Sequence, residues 1–195
     1  MYIAPNFTAK DWFLLRLDEN KEDDWQIAVN VIESRLYSRY IEPLDVLLAA
    51  EEAIPASKRK YGFTILAIDL LLMETLQAFK EGIDDTSGKS KSIFKNFLKE
   101  SPRFSPYFPD DSSREKFYKS FRCGILHQAE IQSSTLLWSI GDLYERAGDI
   151  EILNRNAVHQ SLKLDLDDYI LALRDKGNAK LRARFKDKMD ALAAH

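Results

Sequence analysis

Apolar residues recur at helical spacing in the first third of the chain and predict a long helix. Asp23 or Asp24 is expected to cap the start of this helix. Pro43 lacks a backbone N–H and crowds the turn before it, so the helix is expected to kink or restart there. Leu44 and the leucines after it then continue the apolar face. The apolar residues at helical spacing before Pro43, here called the apolar stripe, are Trp25, Ala28, Val29, Ile32, Leu36 and Tyr40.

Two more helices are predicted in the middle of the chain. Residues 61–79 are apolar on nearly all sides, as in the central helix of a bundle. The segment "SIFKNFLKES" follows a polar loop and is amphipathic. Its apolar side has Ile93, Phe94, Phe97 and Leu98, and its basic side has Lys91, Lys95 and Lys99.

A proline-rich stretch, "SPRFSPYFPDDSS", leads into a further predicted helix. Asp111, Ser112 or Ser113 is expected to cap it, because short polar side chains accept hydrogen bonds from the first-turn amides. The helix is expected to run from Arg114 at least to Phe121.

After His127 the pattern changes. The runs "SSTLLWSIG" and "DIEILNRNAVHQSLKLD" favour strands and predict a small hairpin. The tail from Leu164 predicts a long charged helix that Gly177 could interrupt. We therefore expect a mainly all-α protein: an up-and-down helical bundle, a small C-terminal β-hairpin and a long terminal helix. It forms a single domain over residues 1–195, with a core at about 24–130 and the hairpin and last helix at about 133–192.

Composition narrows the class of protein. The chain has 195 residues, 45% of them hydrophobic, which is enough for one sizeable core. Its formal net charge is −3, so binding of a polyanion would need a local basic patch. One cysteine, Cys123, excludes an internal disulfide and fits a reducing compartment. The N-terminus does not resemble a secretory signal. The most apolar stretch, "FTILAIDLLLMETLQAF", contains two acids and is short for a membrane span. We therefore expect a soluble cytoplasmic protein without membrane association.

Most familiar catalytic patterns are absent from the sequence. Paired histidines or cysteines at zinc spacing, calcium-loop spacing and a Gly-rich phosphate loop are all missing. No metal or cofactor is therefore expected. The combination that remains is Arg122 and His127, within "FYKSFRCGILHQAEI".

Arginine and histidine together suit cleavage of a phosphodiester. An imidazole near its free pKa exchanges protons at neutral pH, and a guanidinium stabilises the charge that grows on phosphate. RNA supplies its own nucleophile, the 2′-hydroxyl. On a straight α-helix, however, residues five apart lie roughly 140° apart around the axis. Either the helix ends or bends near Gly124, or Arg122 and His127 flank a wide groove that a second subunit completes. The structural alternative is that Arg122 pairs with a carboxylate such as Glu74 while His127 caps a helix end.

Within this helical context the chain resembles the HEPN superfamily, whose mark is an arginine followed after four to six residues by a histidine near a helix end. The matching residues are Arg122 and His127, and "LLLMETLQAF" and "ESRLYSRYIEPLDVLL" are similar to helices of uncharacterised bacterial members. The resemblance implies a HEPN-like bundle and a homodimer whose two motifs line one cleft. It implies a metal-independent endoribonuclease, often part of a toxin–antitoxin or phage-defence system. Where many active members have Asn, Asp or His after the arginine, this chain has Cys123, and some members are non-catalytic binding or dimerisation modules.

Further residues could assist the motif. Glu74, an acid on an apolar helix, needs a partner and could orient Arg122 or His127, or form a structural ion pair. Cys123 and Gln128 adjoin the motif, and Gln128 could touch RNA or solvate a turn. The lysines Lys91, Lys95 and Lys99 could follow a phosphate backbone or be the solvated face of their helix. RNA, and an antitoxin or other protein, are the expected partners.

Overall fold

The computed structural model describes residues 1–19, 21–128 and 135–194, and gives only the backbone for residues 19 and 126–128. This part of the chain is mainly helical, which confirms the expected class. Its α-helices are α1 Ala9–Trp12, α2 Glu22–Leu36, α3 Glu42–Glu51, α4 Gly62–Glu81, α5 Ser90–Glu100, α6 Asp111–Phe117, α7 Arg155–Arg174 and α8 Ala179–Ala194. Its strands are β1 Tyr2–Ala4, β2 Phe7–Thr8, β3 Thr135–Trp138, β4 Tyr144–Ala147 and β5 Ile150–Asn154.

Helix α4 is central, as its apolar composition predicts. Its side chains are buried on several sides, because α5, α7 and α8 pack around it. The helix ends at Gly82, which adopts the left-handed conformation with φ 71°. A Cβ there would lie 3.0 Å from the backbone of Arg184, so the glycine also allows α8 to approach closely.

The break expected at Pro43 takes the form of a widened helix. Between α2 and α3 the chain forms a π-helix, Tyr37–Ile41, and Pro43 lies in the first turn of α3. Proline cannot make the i→i−4 hydrogen bond, and the wider turn before it takes up the mismatch. The chain therefore continues as a helix instead of restarting after a gap.

The N-cap of the motif helix lies one residue before the first of the expected caps, and the helical segment continues beyond Phe121. Asp110 is the N-cap of α6: its Oδ1 accepts from the Ser113 amide at 2.7 Å, and the Ser113 hydroxyl lies 3.3 Å from the Asp110 amide. After α6 the chain forms a long π-helix, Tyr118–Gln128, so the helix does not end at Gly124. Phe121 anchors this segment in the core by packing against Phe117, at 4.8 Å between ring centroids.

The predicted hairpin is present with different strands. The two β-favouring runs become β3 and β5, which pair in parallel, with Leu137 opposite Leu153. The hairpin is formed by β4 and β5, and Gly148 lies in its turn with φ 64°. A second, two-stranded sheet, β1–β2, was not predicted.

The expected terminal helix, which Gly177 could interrupt, is two helices, and its predicted start at Leu164 was wrong. Helix α7 begins at Arg155, because Asn154 caps it by accepting from the Asn156 and Ala157 amides at 3.1 and 3.3 Å. The interruption near Gly177 is confirmed between α7 and α8. Both helices contact α4 and share one hydrophobic core with it.

Helix α4 also bears on the membrane question. At 20 residues it is long and apolar enough to span a bilayer, so the sequence argument from its length was wrong. However, 61% of the most apolar 18-residue segment of α4 is buried inside the fold, as is usual for the core helix of a soluble protein. The cytoplasmic location stays a prediction.

Candidate functional site

Arg122 and Glu74 meet across two elements. Nη2 of Arg122, on the π-helix after α6, lies 3.0 Å from Oε2 of Glu74 on α4. The same carboxylate oxygen accepts from the hydroxyl of Ser90, at the start of α5, at 2.8 Å. The two side chains of the ion pair are 14% and 11% exposed. The acid on the apolar helix therefore has the partner that its position required, and it fixes the guanidinium in place.

The π-helix changes the geometric problem posed by the spacing of the motif. In this helix type the hydrogen bonds join residues five apart. The backbone at residue 127 therefore lies about one turn beyond the backbone at residue 122, on the same side of the helix axis. The side chains of His127 and Gln128 lie outside the described part of the structure, and their roles stay predictions.

Two neighbouring groups border the arginine. The carbon at the centre of the Arg122 guanidinium lies 5.8 Å from the ring centroid of Tyr118, one turn earlier, within cation–π range. Cys123 is a free, partly buried thiol. It is too weak a hydrogen-bonding group to replace a polar partner after the arginine.

The predicted basic side of α5, here called the basic stripe, faces acidic side chains of α6. Lys91 lies 2.5 Å from Glu115, and Lys95 lies 2.7 Å from Asp111 and 3.5 Å from Glu115. Hydrogen bonds from Lys91 and then Lys119 lower the pKa of Glu115 to about 2, so this acid is ionised at neutral pH. These pairs neutralise part of the stripe's charge. Contact of Lys91, Lys95 and Lys99 with RNA stays a prediction.

A second polar cluster extends from the core to the surface between α3, α4 and α7. His159 belongs to the run "DIEILNRNAVHQSLKLD", which was expected to favour a strand, but it lies in α7 and is fully buried. Its Nδ1 is 2.9 Å from Asp69 on α4, and its Nε2 is 3.2 Å from Asp45 on α3, which also binds Lys163 at 2.7 Å. Burial alone would lower the pKa of His159, but the hydrogen bond and charge of Asp69, followed by those of Asp45, raise it. Burial raises the pKa of Asp69 to about 6, although His159 opposes the shift.

This cluster joins helices rather than serving a ligand, because its histidine has no access to solvent. The sequence signal that was missed is the apolar spacing around it, at Val158, Leu162 and Leu166. That spacing places His159 on the buried face of a helix. Within the described ranges, no group of three or more His, Cys, Asp or Glu side chains could hold a metal ion.

Comparison of this chain with models of protein families, with curated proteins and with solved structures gives no match. Any assignment of function therefore depends on the residues of the site itself.

Proposed function

We propose that the chain is a metal-independent endoribonuclease of the HEPN type that acts as a homodimer. The observation that supports this best is the fixed guanidinium of Arg122. Glu74 holds it on a π-helix that carries residue 127 one turn further on. An arginine with a fixed plane loses less side-chain entropy when it binds phosphate.

The chemistry needs one phosphate binder and proton carriers. In the proposed reaction the 2′-hydroxyl of RNA attacks the adjacent phosphorus and the 5′-oxygen of the next nucleotide leaves. His127 takes the proton from the attacking hydroxyl, and His127 of the second protomer donates a proton to the leaving oxygen. Arg122 stabilises the charge on the non-bridging oxygens. The products are a 2′,3′-cyclic phosphate and a 5′-hydroxyl, with water and metal uninvolved in the first step.

A cleavage assay tests this proposal. The purified protein is expected to cut single-stranded RNA in the presence of EDTA and to leave a cyclic phosphate. His127→Ala is expected to lose about 10²-fold or more of this activity, because it removes the proton carrier. Lys180→Gln, a change on the exposed start of α8, serves as the matched control. Equal cleavage by the wild type and by a folded His127→Ala variant would refute the proposal.

The second candidate is a non-catalytic dimerisation module. It is favoured by the burial of Arg122 and Glu74 and by the acids that neutralise Lys91 and Lys95. In that case the protein cuts no RNA, and Arg122→Ala converts the dimer to a monomer in sedimentation velocity. A cleaving wild type excludes this candidate. The two candidates differ in what a physiological partner, such as an antitoxin, would do. If the chain is a ribonuclease, the partner would cover the cleft; if it is a dimerisation module, the partner would extend the dimer.

A further inference from the structure

A concave pocket lies between the α3–α4 connection and strand β3, apart from the motif helix. Its volume is about 470 Å³, within the range typical of small-molecule sites. Three cations line it, Arg59, Lys60 and Arg155, and its described lining residues include no carboxylate. The walls also carry two aromatic side chains, Phe63 and Trp138.

Its positive charge is only partly compensated. Glu51, buried behind the pocket, pairs with Arg155 and accepts from the backbone amides of Lys60 and Tyr61. Burial raises the pKa of Glu51, but these amides and Arg155 together lower it, so the carboxylate is ionised. Three cations therefore stand against one acid. In a chain of net charge −3 this is a local excess of positive charge.

The arginine at the rim is held by neutral groups. Nε of Arg59 donates to the Ile54 carbonyl at 3.0 Å, and its Nη1 donates to the Ser139 hydroxyl at 2.7 Å. These contacts fix the guanidinium without cancelling its charge. Lys60 is exposed beside it. A fixed guanidinium next to an ammonium is suited to a phosphate group.

The start of α4 adds to this field. The helix begins at Gly62 in the pocket wall, and its N-cap residue, Tyr61, makes no side-chain hydrogen bond to the first turn. A Cβ on Gly62 would lie 3.1 Å from both Arg155 Nη1 and the Leu137 side chain. The glycine thus allows the positive end of a 20-residue helix to approach the arginine and strand β3.

The aromatic walls supply the other half of a ligand site. Phe63 is 43% exposed and Trp138 is 48% exposed, whereas the other two tryptophans, Trp12 and Trp25, are buried. Exposed aromatic faces beside cations bind a flat ring joined to an anion. Neither feature alone defines the ligand, but together they fit the base and the phosphate of one nucleotide.

We propose that this pocket binds a nucleotide, with its phosphate on Arg59 and Lys60 and its base stacked on Trp138. The nucleotide could come from a free nucleoside phosphate or from a single strand of RNA, since both offer the same base and phosphate. The site does not depend on Arg122 or His127, so it can be tested whether or not the chain cleaves RNA.

Binding is measured on the full chain by calorimetry and by tryptophan fluorescence, with AMP, a short oligouridylate and inorganic phosphate as probes. Binding of AMP or the oligouridylate is expected to quench the fluorescence of Trp138. Trp138→Leu is expected to abolish the quenching and weaken binding about tenfold or more, because stacking is lost. Lys60→Gln is expected to weaken binding and to reduce the salt dependence of oligouridylate binding by about one charge. Lys180→Gln is the matched control.

The probes separate the two sources. Binding of AMP alone indicates a free nucleotide, and preferential binding of the oligouridylate indicates an RNA strand. The proposal is overturned if neither probe binds, if inorganic phosphate binds as tightly as AMP, or if Lys180→Gln weakens binding as much as Lys60→Gln. It is also overturned if Trp138→Leu dissociates a dimer but leaves binding intact, since this wall would then be a subunit interface.

Discussion

Replacing His159 by leucine tests whether the buried cluster holds the helical core together. The imidazole occupies the space between Asp69 and Asp45 and contacts both carboxylates. Asp45 is 38% exposed and can be solvated when the imidazole is removed, whereas Asp69 is fully buried. One oxygen of Asp69, Oδ2, already lacks a hydrogen-bond partner among the described residues. The variant therefore leaves a buried carboxylate without the group that compensates its charge.

The size of the effect follows from the cost of keeping that carboxyl group neutral. Without His159, burial raises the pKa of Asp69 further above its ordinary value of 3.8. At neutral pH the folded variant must then bind a proton that the unfolded chain does not bind. Each pH unit costs about 1.4 kcal/mol, so the roughly three units between 3.8 and neutrality give a cost of about 4 kcal/mol relative to a variant with a non-titrating amide in place of Asp69. The wild type, in which the pKa of Asp69 is about 6, already bears about 3 kcal/mol of this cost. The loss relative to the wild type through this carboxyl group is therefore about 1 kcal/mol, and the lost hydrogen bonds and packing of His159 add to it.

The penalty must also depend on pH in one direction. A carboxyl group whose folded pKa is raised contributes stability that is present below its unfolded pKa and is lost as pH rises through the folded pKa. In the variant, the cost therefore falls by about 1.4 kcal/mol for each unit of acidification from neutrality towards 3.8. Below that value both states are protonated, and only the lost packing and hydrogen bond remain.

Urea unfolding followed by circular dichroism between neutrality and about pH 4 measures this slope. The control is the double variant His159→Leu/Asp69→Asn, whose amide does not titrate. Relative to this control, the single variant should lose stability with rising pH. If the single and double variants show the same pH dependence, the charge of Asp69 is not the cause of the instability and the reasoning is refuted.

Three further substitutions probe how the helices are joined. Arg182→Lys should lower the free energy of unfolding, measured in urea, by about 2 kcal/mol. Arg182 donates two hydrogen bonds to carbonyls at the end of α7, and the ammonium of a lysine cannot reproduce this paired geometry. An unchanged unfolding midpoint would contradict this prediction. Gly82→Ala should lower the melting temperature more than Gly88→Ala. Both residues have φ near 70°, so an alanine at either position introduces about 1–2 kcal/mol of backbone strain. Only at Gly82 does the new methyl group also contact the backbone of Arg184. Equal losses of stability in the two variants would show that this contact does not matter. Asp110→Ala should cost about 1 kcal/mol in thermal unfolding through loss of the α6 cap, and no loss would mean that another residue caps the helix.

The parts of the fold that were predictable are those in which local sequence and burial agree. The stripe of α2, the apolar composition of α4 and the amphipathic pattern of α5 each specify their own helix. The start of α7 was missed because β-favouring residues run directly into the cap at Asn154. The parallel pairing of β3 with β5 was missed for a different reason: pairing partners are set by packing over the whole chain, and the two strands carry no turn signal that joins them.

For the candidate site, the sequence indicated that the acid at Glu74 needs a cationic partner, but it did not indicate which cation this is. An acid at Glu74 on an apolar helix requires a partner, and Arg122 is one of several cations within reach of a folded chain. The two lie 48 positions apart, so only the packing of the π-helix against α4 brings them together. The pocket beside β3 was missed because residues 56–63 and 137–155 build it jointly. The run "SKRKYGF" shows its cations and aromatic residues, but not the strand that closes the pocket.

Burial separates three of the described acid–cation contacts, Glu51–Arg155, Asp69–His159 and Glu74–Arg122, by what they can do. Glu51–Arg155 and Asp69–His159 are at most 4% exposed at either side chain, and a ligand could reach their charged atoms only if the packing opened. Glu74–Arg122 retains 11% and 14% exposure, and it lies on a π-helix, a form that often marks functional sites. A purely structural pair gains nothing from partial exposure, because water weakens the attraction without removing the entropy cost of holding both side chains. Of these three contacts, Glu74–Arg122 is therefore the one at which a phosphate could reach the guanidinium while Glu74 holds it, and this is the physical basis for placing the catalytic proposal there.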